Sequence, residues 1–309
     1  MPKNFADRLI EAVLAKRSQV CVGLDPRLDH MPPSLLARYA QEQGEENGRR
    51  EIGACLEEFG AAIIEAVAPE VVAIKLQLAC FEQYGPPGIR AFQRLCRRAA
   101  GAGLLVIADA KRGDIGISAQ AYSAAFIGRP DGLDGKIDGY GADAMTVNPL
   151  FGSDGIEPFL DDCRSYGRGI FVLVRTSNPG AAEIQDLQVD ESGSVYQHIA
   201  GLVAGWGGRL RGDGGYSSVG AVIGANGGGA ISGLRELLPR VFFLMPGYGA
   251  QGAGTDDVAP AFDSRGLGAL ITASRSIIYA GSGDDYAAAA AAAAAGMREE
   301  LWQTGGGQA

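Results

Sequence analysis

Eight short apolar runs rich in β-branched residues recur along the chain, each closing in polar or glycine-rich residues and each separated from the next by a segment of helical period. They are VCVGLD (20–25), VVAIKLQ (71–77), LLVIADAK (104–111), ADAMTVNP (142–149), GIFVLVRTS (169–177), VGAVIGA (219–225), VFFLMPG (241–247) and ALITASR (269–275). Unbroken apolar character suits strands buried on both faces, the condition of a parallel sheet flanked by crossover helices. Eight such strands suit closure, so the chain is expected to be an α/β protein, a TIM (β/α)8 barrel in a single domain spanning residues 1–309. A helix at 4–17 precedes the first strand and is expected to cover the bottom face of the barrel. Residues 49–67 carry a 3.6-residue period and are expected to make the first crossover helix. The polar stretch at about 38–50 is expected to be an exposed insertion, and the glycine-rich segments 128–141 and 210–218 to be mobile connections without chemistry. The nine-alanine run 287–295 follows acidic residues and contains neither glycine nor proline. It is expected to be the last barrel helix, about 285–302, with only the final GGGQA fraying.

Composition narrows the function classes. Hydrophobic residues make up 47% of the chain and charged residues 20%, with no apolar run long enough to span a bilayer. The first twenty residues place acidic side chains in an amphipathic pattern and do not read as a signal peptide, so the cytoplasm is the expected location and no membrane partner is expected. The net charge of −9 argues against a nucleic-acid binder, while leaving room for a local basic pocket that takes an anionic metabolite. Five cysteines (Cys21, Cys55, Cys80, Cys96 and Cys163) lack the close pairing of a disulfide framework or zinc site and are expected to be apolar fillers. With only two histidines, His30 and His198, a His-rich metal centre or a Ser-His-Asp machine would need unusual economy. The expected partner is a small-molecule substrate, with no metal.

In a barrel of this class functional groups emerge at the C-terminal ends of the strands. The first run ends at Asp25, the second carries Lys75, the third ends with Asp109 and Lys111, the fifth with Thr176 and Ser177, and the eighth with Ser274 and Arg275. That distribution converges on one pocket. Asp109 and Lys111 are two apart on a strand, so their side chains are expected to share a face and to point into the barrel mouth. Asp114 follows three residues later, where the strand has given way to a loop that can reach outward. A structural ion pair is the plain alternative for Asp109 and Lys111, since strand ends often carry one. Lys75 on a neighbouring strand argues instead for an alternating acid–base array in a partly desolvated mouth.

The segments VGLDP (22–26), IKLQ (74–77), DAKRGDI (109–115), TVNPLFG (146–152), VRTSNPG (174–180), PGYGAQG (246–252) and SRSIIYA (274–280) resemble, in order and spacing, those of the orotidine 5'-phosphate decarboxylases, particularly the longer-chain subgroup. The likeness spans nearly the whole chain. It implies that Lys75, Asp109, Lys111 and Asp114 form the charged catalytic network, with Asp114 reaching into the neighbouring subunit's site, so that the enzyme is expected to be a homodimer. It implies further that Asp25 and Lys75 hold ribose hydroxyls, that Ile115 and Ser118 cross the interface beside Asp114, and that Ser177 binds the pyrimidine. Gln251 and Arg275, with backbone N–H groups at Gly252 and Arg275, would bind the 5'-phosphate. The implied substrate is a nucleoside monophosphate, the implied reaction is a decarboxylation in pyrimidine nucleotide synthesis, and no cofactor is expected.

Two other readings share these residues. A magnesium-dependent sugar-phosphate aldolase or decarboxylase of the same superfamily carries a similar Asp-x-Lys-x-x-Asp strand end, but needs a carboxylate on the second strand, where this chain has Lys75 and Gln77. A phosphate-metabolite-binding barrel without chemistry would keep the pocket alone. Arg27, Arg112 and Arg175 are expected to be rim or interface charges, His30 a surface residue, and His198 a structural residue on a helix. Asn148 and Pro149 end the fourth strand and are assigned no role. Ala253 departs from the doubled glycine more usual after Gln251, which puts the phosphate-loop geometry in question.

Overall fold

The computed structural model describes residues 2–40, 45–190, 193–249 and 252–305. Eight strands form a closed, all-parallel barrel: β1 (Val20–Leu24), β2 (Ala73–Gln77), β3 (Leu105–Arg112), β4 (Ala144–Val147), β5 (Gly169–Arg175), β6 (Ser217–Ile223), β7 (Val241–Pro246) and β8 (Ala269–Ala273). Each pairs with its neighbours in sequence, and β8 closes on β1 with Val20 opposite Ile271. All eight apolar runs are therefore barrel strands. Burial explains why they were recognisable: β1, β4, β6 and β8 are buried at every position, so none shows the alternation of a half-exposed strand.

The main helices are α1 (Phe5–Lys16), α2 (Glu45–Val67), α3 (Pro86–Gly101), α4 (Gly116–Phe126), α5 (Gly152–Tyr166), α6 (Val195–Gly208), α7 (Gly229–Leu237) and α8 (Tyr286–Thr304). Between the barrel and this ring lies the larger apolar core, to which Phe59, Ile63 and Ile64 of α2 and Phe92 and Leu95 of α3 contribute. A second core fills the N-terminal end of the barrel. There α1 buries Phe5, Leu9, Ile10 and Val13 against Cys21, Ala73, Leu105, Ala144 and Phe171, residues at or near the starts of five strands. Asn4 caps α1 by accepting a hydrogen bond from the Ala6 amide, and its side chain also donates to the Leu210 carbonyl. Gly169 is required at this contact, since a Cβ there would lie 2.4 Å from the Phe5 ring. With the bottom closed by α1, the opposite mouth is left as the place for chemistry.

Three expectations are refined. The polar stretch at about 38–50 is exposed or half-buried where described, as expected, but α2 begins at Glu45 rather than 49, with Arg49 pairing with Glu45 one turn away, and residues 41–44 lie outside the described residues. The segment 128–141 contains a small antiparallel hairpin, Asp131–Gly132 with Gly135–Lys136. The segment 210–218 supplies the start of β6, because Ser217 Oγ donates to the Gly207 carbonyl and satisfies a polar group that would otherwise argue against a buried strand. His198 is exposed on α6. Of the C-terminal GGGQA, residues 306–309 lie outside the described residues.

Candidate active site

The C-terminal ends of the strands enclose a cavity of about 560 Å³. Asp25, Lys75, Asp109, Lys111, Ser177 and Arg275 all line it. Leu173, Val222, Leu244 and Pro246 form an apolar wall across from the charged groups. A small ligand with both charged or polar and apolar parts is the kind such a cavity suits.

Asp109 is the centre of the site. It is 6% exposed, and its two oxygens accept four hydrogen bonds. Lys75 Nζ donates to Oδ2 at 2.7 Å and Gln77 Nε2 to the same oxygen at 3.1 Å. Lys111 Nζ donates to Oδ1 at 2.6 Å, and the Thr146 hydroxyl donates to it at 2.9 Å. A carboxylate has about four lone-pair sites, so Asp109 is saturated and acts as a fixed negative charge rather than as a base with a free lone pair. Burial by itself would raise its pKa, but the Lys75 and then the Lys111 ammonium overcome that and hold it well below the ordinary carboxylate range.

Lys75 is equally buried and faces two carboxylates, Asp109 at 2.7 Å and Asp25 at 3.7 Å. Burial by itself would lower its pKa; Asp109 first and Asp25 second reverse the sign and raise it, so it is an ammonium at neutral pH. Asp25 Oδ1 is buried and has no hydrogen-bond partner among the described residues, an acceptor positioned for a ligand hydroxyl. Lys111 differs from Lys75 in the way that matters: its side chain is 45% exposed, tied at one point to Asp109 and otherwise open to the cavity.

The shared face of Asp109 and Lys111 does not come from regular strand alternation. Between Ala108 and Arg112 the register of β3 against β4 shifts, and Lys111 sits at φ 47°, one of two non-glycine residues with positive φ among the described residues. A bulge, not a plain pleat, carries both side chains into the mouth.

Other expected residues are placed less centrally. Asp114 is half-buried beyond the bulge, its Oδ1 accepting from the Ile115 amide at 2.8 Å, and neither it nor Ile115 nor Ser118 lines the cavity. Ile115 and Ser118 are exposed. Gly252, at φ 87°, lies in the glycine-rich loop after β7 but not on the cavity wall, and Gln251 lies outside the described residues. Ala253 is buried and makes a parallel bridge with Tyr248, so the methyl group is accommodated within the described part of that loop. Arg112 pairs with Glu82 and Arg175 with Asp186, and neither lines the cavity, whereas Arg27 does.

Gln77, Cys80, Thr146, Tyr248 and Thr272 also line the cavity and were not singled out beforehand as site residues. For Thr146 and Thr272 the available signal was a lone hydroxyl inside an otherwise apolar strand. Burial pushes the Cys80 thiol up to about 11, which removes it as a thiolate nucleophile at neutral pH.

Comparison with known proteins agrees with this architecture. Residues 18–292 match the model of the orotidine 5'-phosphate decarboxylase / HUMPS family. The chain is 41% identical over 278 residues to orotidine 5'-phosphate decarboxylase of Caldicellulosiruptor saccharolyticus, covering 90% of each chain. It is 42% identical over 287 residues to that of Rhodopirellula baltica, covering 92% of this chain and 91% of the relative. The chain belongs to the orotidine 5'-phosphate decarboxylase family. A solved structure of OMP decarboxylase from Leishmania donovani superposes with a TM-score of 0.73 at 29% identity, covering 97% of this chain and 98% of that one. Membership of the decarboxylase family also accounts for the closed eight-stranded barrel. None of the described helices is long and apolar enough to cross a membrane.

Proposed function

We propose that the chain converts orotidine 5'-phosphate to uridine 5'-phosphate, the last step of de novo pyrimidine nucleotide synthesis, as a cytoplasmic homodimer that uses neither metal nor cofactor. The observation that carries this reading is the alternating line Asp25, Lys75, Asp109, Lys111, in which one ammonium is buried and pinned while the other is anchored yet open to the cavity.

Decarboxylation breaks the bond between C6 of the pyrimidine and the carboxylate, releases carbon dioxide and leaves the electron pair on C6 in the ring plane. No adjacent carbonyl delocalises that pair efficiently, so it must be stabilised where it forms. The Lys111 ammonium, held by Asp109, places positive charge at C6 and then gives C6 its proton; the resulting amine recovers a proton from solvent. At about 4 Å and an effective dielectric near 20 this contact contributes up to roughly 4 kcal/mol, or about a thousandfold in rate. The larger remainder comes from binding the parts of the substrate that do not react. In this reading Asp25 and Lys75 hold the ribose hydroxyls and Ser177 the pyrimidine. Arg275, at the start of the short helix Arg275–Ile278, takes the phosphate with Gln251 and the Gly252 amide. Asp114, Ile115 and Ser118 complete the partner subunit's site, which accounts for their position outside the cavity of their own chain.

The magnesium-dependent alternative is disfavoured by donor chemistry. Lys75 and Gln77 occupy β2 where a metal ligand would be needed, and both donate to Asp109, which has no lone pair left for a cation. The test is turnover of orotidine 5'-phosphate, followed by absorbance, with and without a chelator. Undiminished turnover in chelator is expected, and Lys111→Ala is expected to abolish turnover while still unfolding cooperatively from a native far-UV spectrum. Folded protein without turnover, or turnover lost to chelator, refutes the proposal.

A further inference from the structure

We propose that Thr146 is a positioning residue of this site: its hydroxyl fixes the backbone turn that aims Lys111 and orients the carboxylate that holds the Lys111 ammonium. The inference rests on the proposed role of Lys111 as proton donor to orotidine 5'-phosphate and adds a residue to it. β3 and β4 are in register at Ala108 with Met145 and again at Arg112 with Val147, so four steps along β3 face two along β4. The surplus on β3 is taken up by a bulge, and Thr146 is the β4 residue opposite it.

The bulge creates two difficulties that one hydroxyl resolves. It puts Lys111 at φ 47°, a left-handed conformation that a residue with a Cβ adopts only when its surroundings hold it there. It also takes the Lys111 amide off the strand ladder, and that amide donates instead to Thr146 Oγ1 at 2.9 Å. The same oxygen lies 2.9 Å from Asp109 Oδ1. The direction of each bond is unambiguous, since the ionised carboxylate only accepts and the amide only donates: Thr146 gives its proton to Asp109 and accepts from Lys111. A single buried, β-branched side chain with restricted χ1 thus ties together the backbone of Lys111 and the carboxylate to which its ammonium is bonded. Gln77 supplies the other neutral donor to Asp109, on Oδ2, and makes no such link to Lys111.

Removing this hydroxyl should displace the ammonium from C6 without touching the groups that hold phosphate and ribose. In Thr146→Val, which keeps the shape and loses the hydroxyl, kcat for orotidine 5'-phosphate is expected to fall by about 10- to 100-fold, with KM within about threefold of wild type. Thr146→Ser, which restores the hydroxyl and omits the methyl, is expected to return kcat to within about threefold of wild type. A kcat for Thr146→Val within twofold of wild type overturns the proposal. So does an equal loss in Thr146→Ser, which would assign the effect to methyl packing, or a loss confined to KM. If Thr146→Val fails to melt cooperatively, Thr146→Cys and Thr146→Ala replace it, with activity expected in the order Ser, Cys, Ala; equal activity of Ser and Ala overturns the proposal. Failure of the wild-type chain to turn over the substrate would instead refute the proposed function, so the two failures are distinguishable.

Discussion

Replacing Asp109 with asparagine keeps the side chain's volume and removes the one negative charge between two ammonium groups. In the folded chain this leaves Lys75, 6% exposed at its side chain, with Asp25 at 3.7 Å as its remaining charged partner, and leaves the repulsion between Lys75 and Lys111 without the Asp109 charge that had compensated it. Breaking a buried ion pair by removing one partner costs about 3–5 kcal/mol. Unfolding entropy of about 2.1 cal/mol/K per residue gives roughly 0.65 kcal/mol/K for a chain of 309 residues, so the melting temperature of Asp109→Asn should fall by roughly 5–8 °C. The effect has a pH signature. Asp109 has a depressed folded-state pKa, so its contribution is present above its ordinary value of 3.8 and is lost as pH falls toward the folded value. Lys75 has a raised one, so its contribution is present below its ordinary value of 10.5 and is lost as pH rises toward the folded value. The difference in melting temperature between wild type and Asp109→Asn should therefore be flat between these two ordinary values and shrink below the lower one. Differential scanning calorimetry across that range measures it directly. A melting temperature within 2 °C of wild type at neutral pH, or a difference that grows as pH falls below 4, would refute the reasoning.

The other consequences concern binding and assembly. Arg275→Ala removes a charge-assisted partner of the proposed phosphate site and should lower kcat/KM by roughly 10- to 100-fold while leaving the melting temperature unchanged; steady-state kinetics decide, and an unchanged kcat/KM would remove Arg275 from the phosphate site. Ile117, 85% exposed, Leu150, 82% exposed, and Phe151, 49% exposed, are large apolar side chains that follow Asp114 and the end of β4, where the proposed homodimer would bury them. Ile117→Asp combined with Leu150→Asp should yield monomers by sedimentation velocity and lose turnover at low protein concentration; a fully active monomer would contradict the cross-subunit role of Asp114.

The barrel was legible because its strands are buried on both faces, which leaves uninterrupted apolar runs that no amphipathic element would show. Lys75, Asp109 and Lys111 were legible for the converse reason: charged residues inside such runs have no place in a packed interior unless they meet one another, and all line the same cavity. The amphipathic pattern of the first twenty residues likewise made a helix readable before β1 and its place under the barrel expected, and the packing of Phe5, Leu9, Ile10 and Val13 puts it there.

What remained hidden depends on distances along the chain that local pattern does not encode. A threonine at 146 reads as a β-branched filler of an apolar strand, and it becomes a bridge between Asp109 and Lys111 only because β3 and β4 run out of register beside it. Gln77 reads as a polar strand end, and only the closed sheet brings it to the second oxygen of Asp109. The sequence by itself determined which strands form and which charged groups meet, because burial and charge are properties of single residues in a periodic pattern. The tertiary structure alone decided how Asp109 is saturated and how Lys111 is aimed, because bulge, register and hydrogen-bond direction exist only between strands distant in sequence.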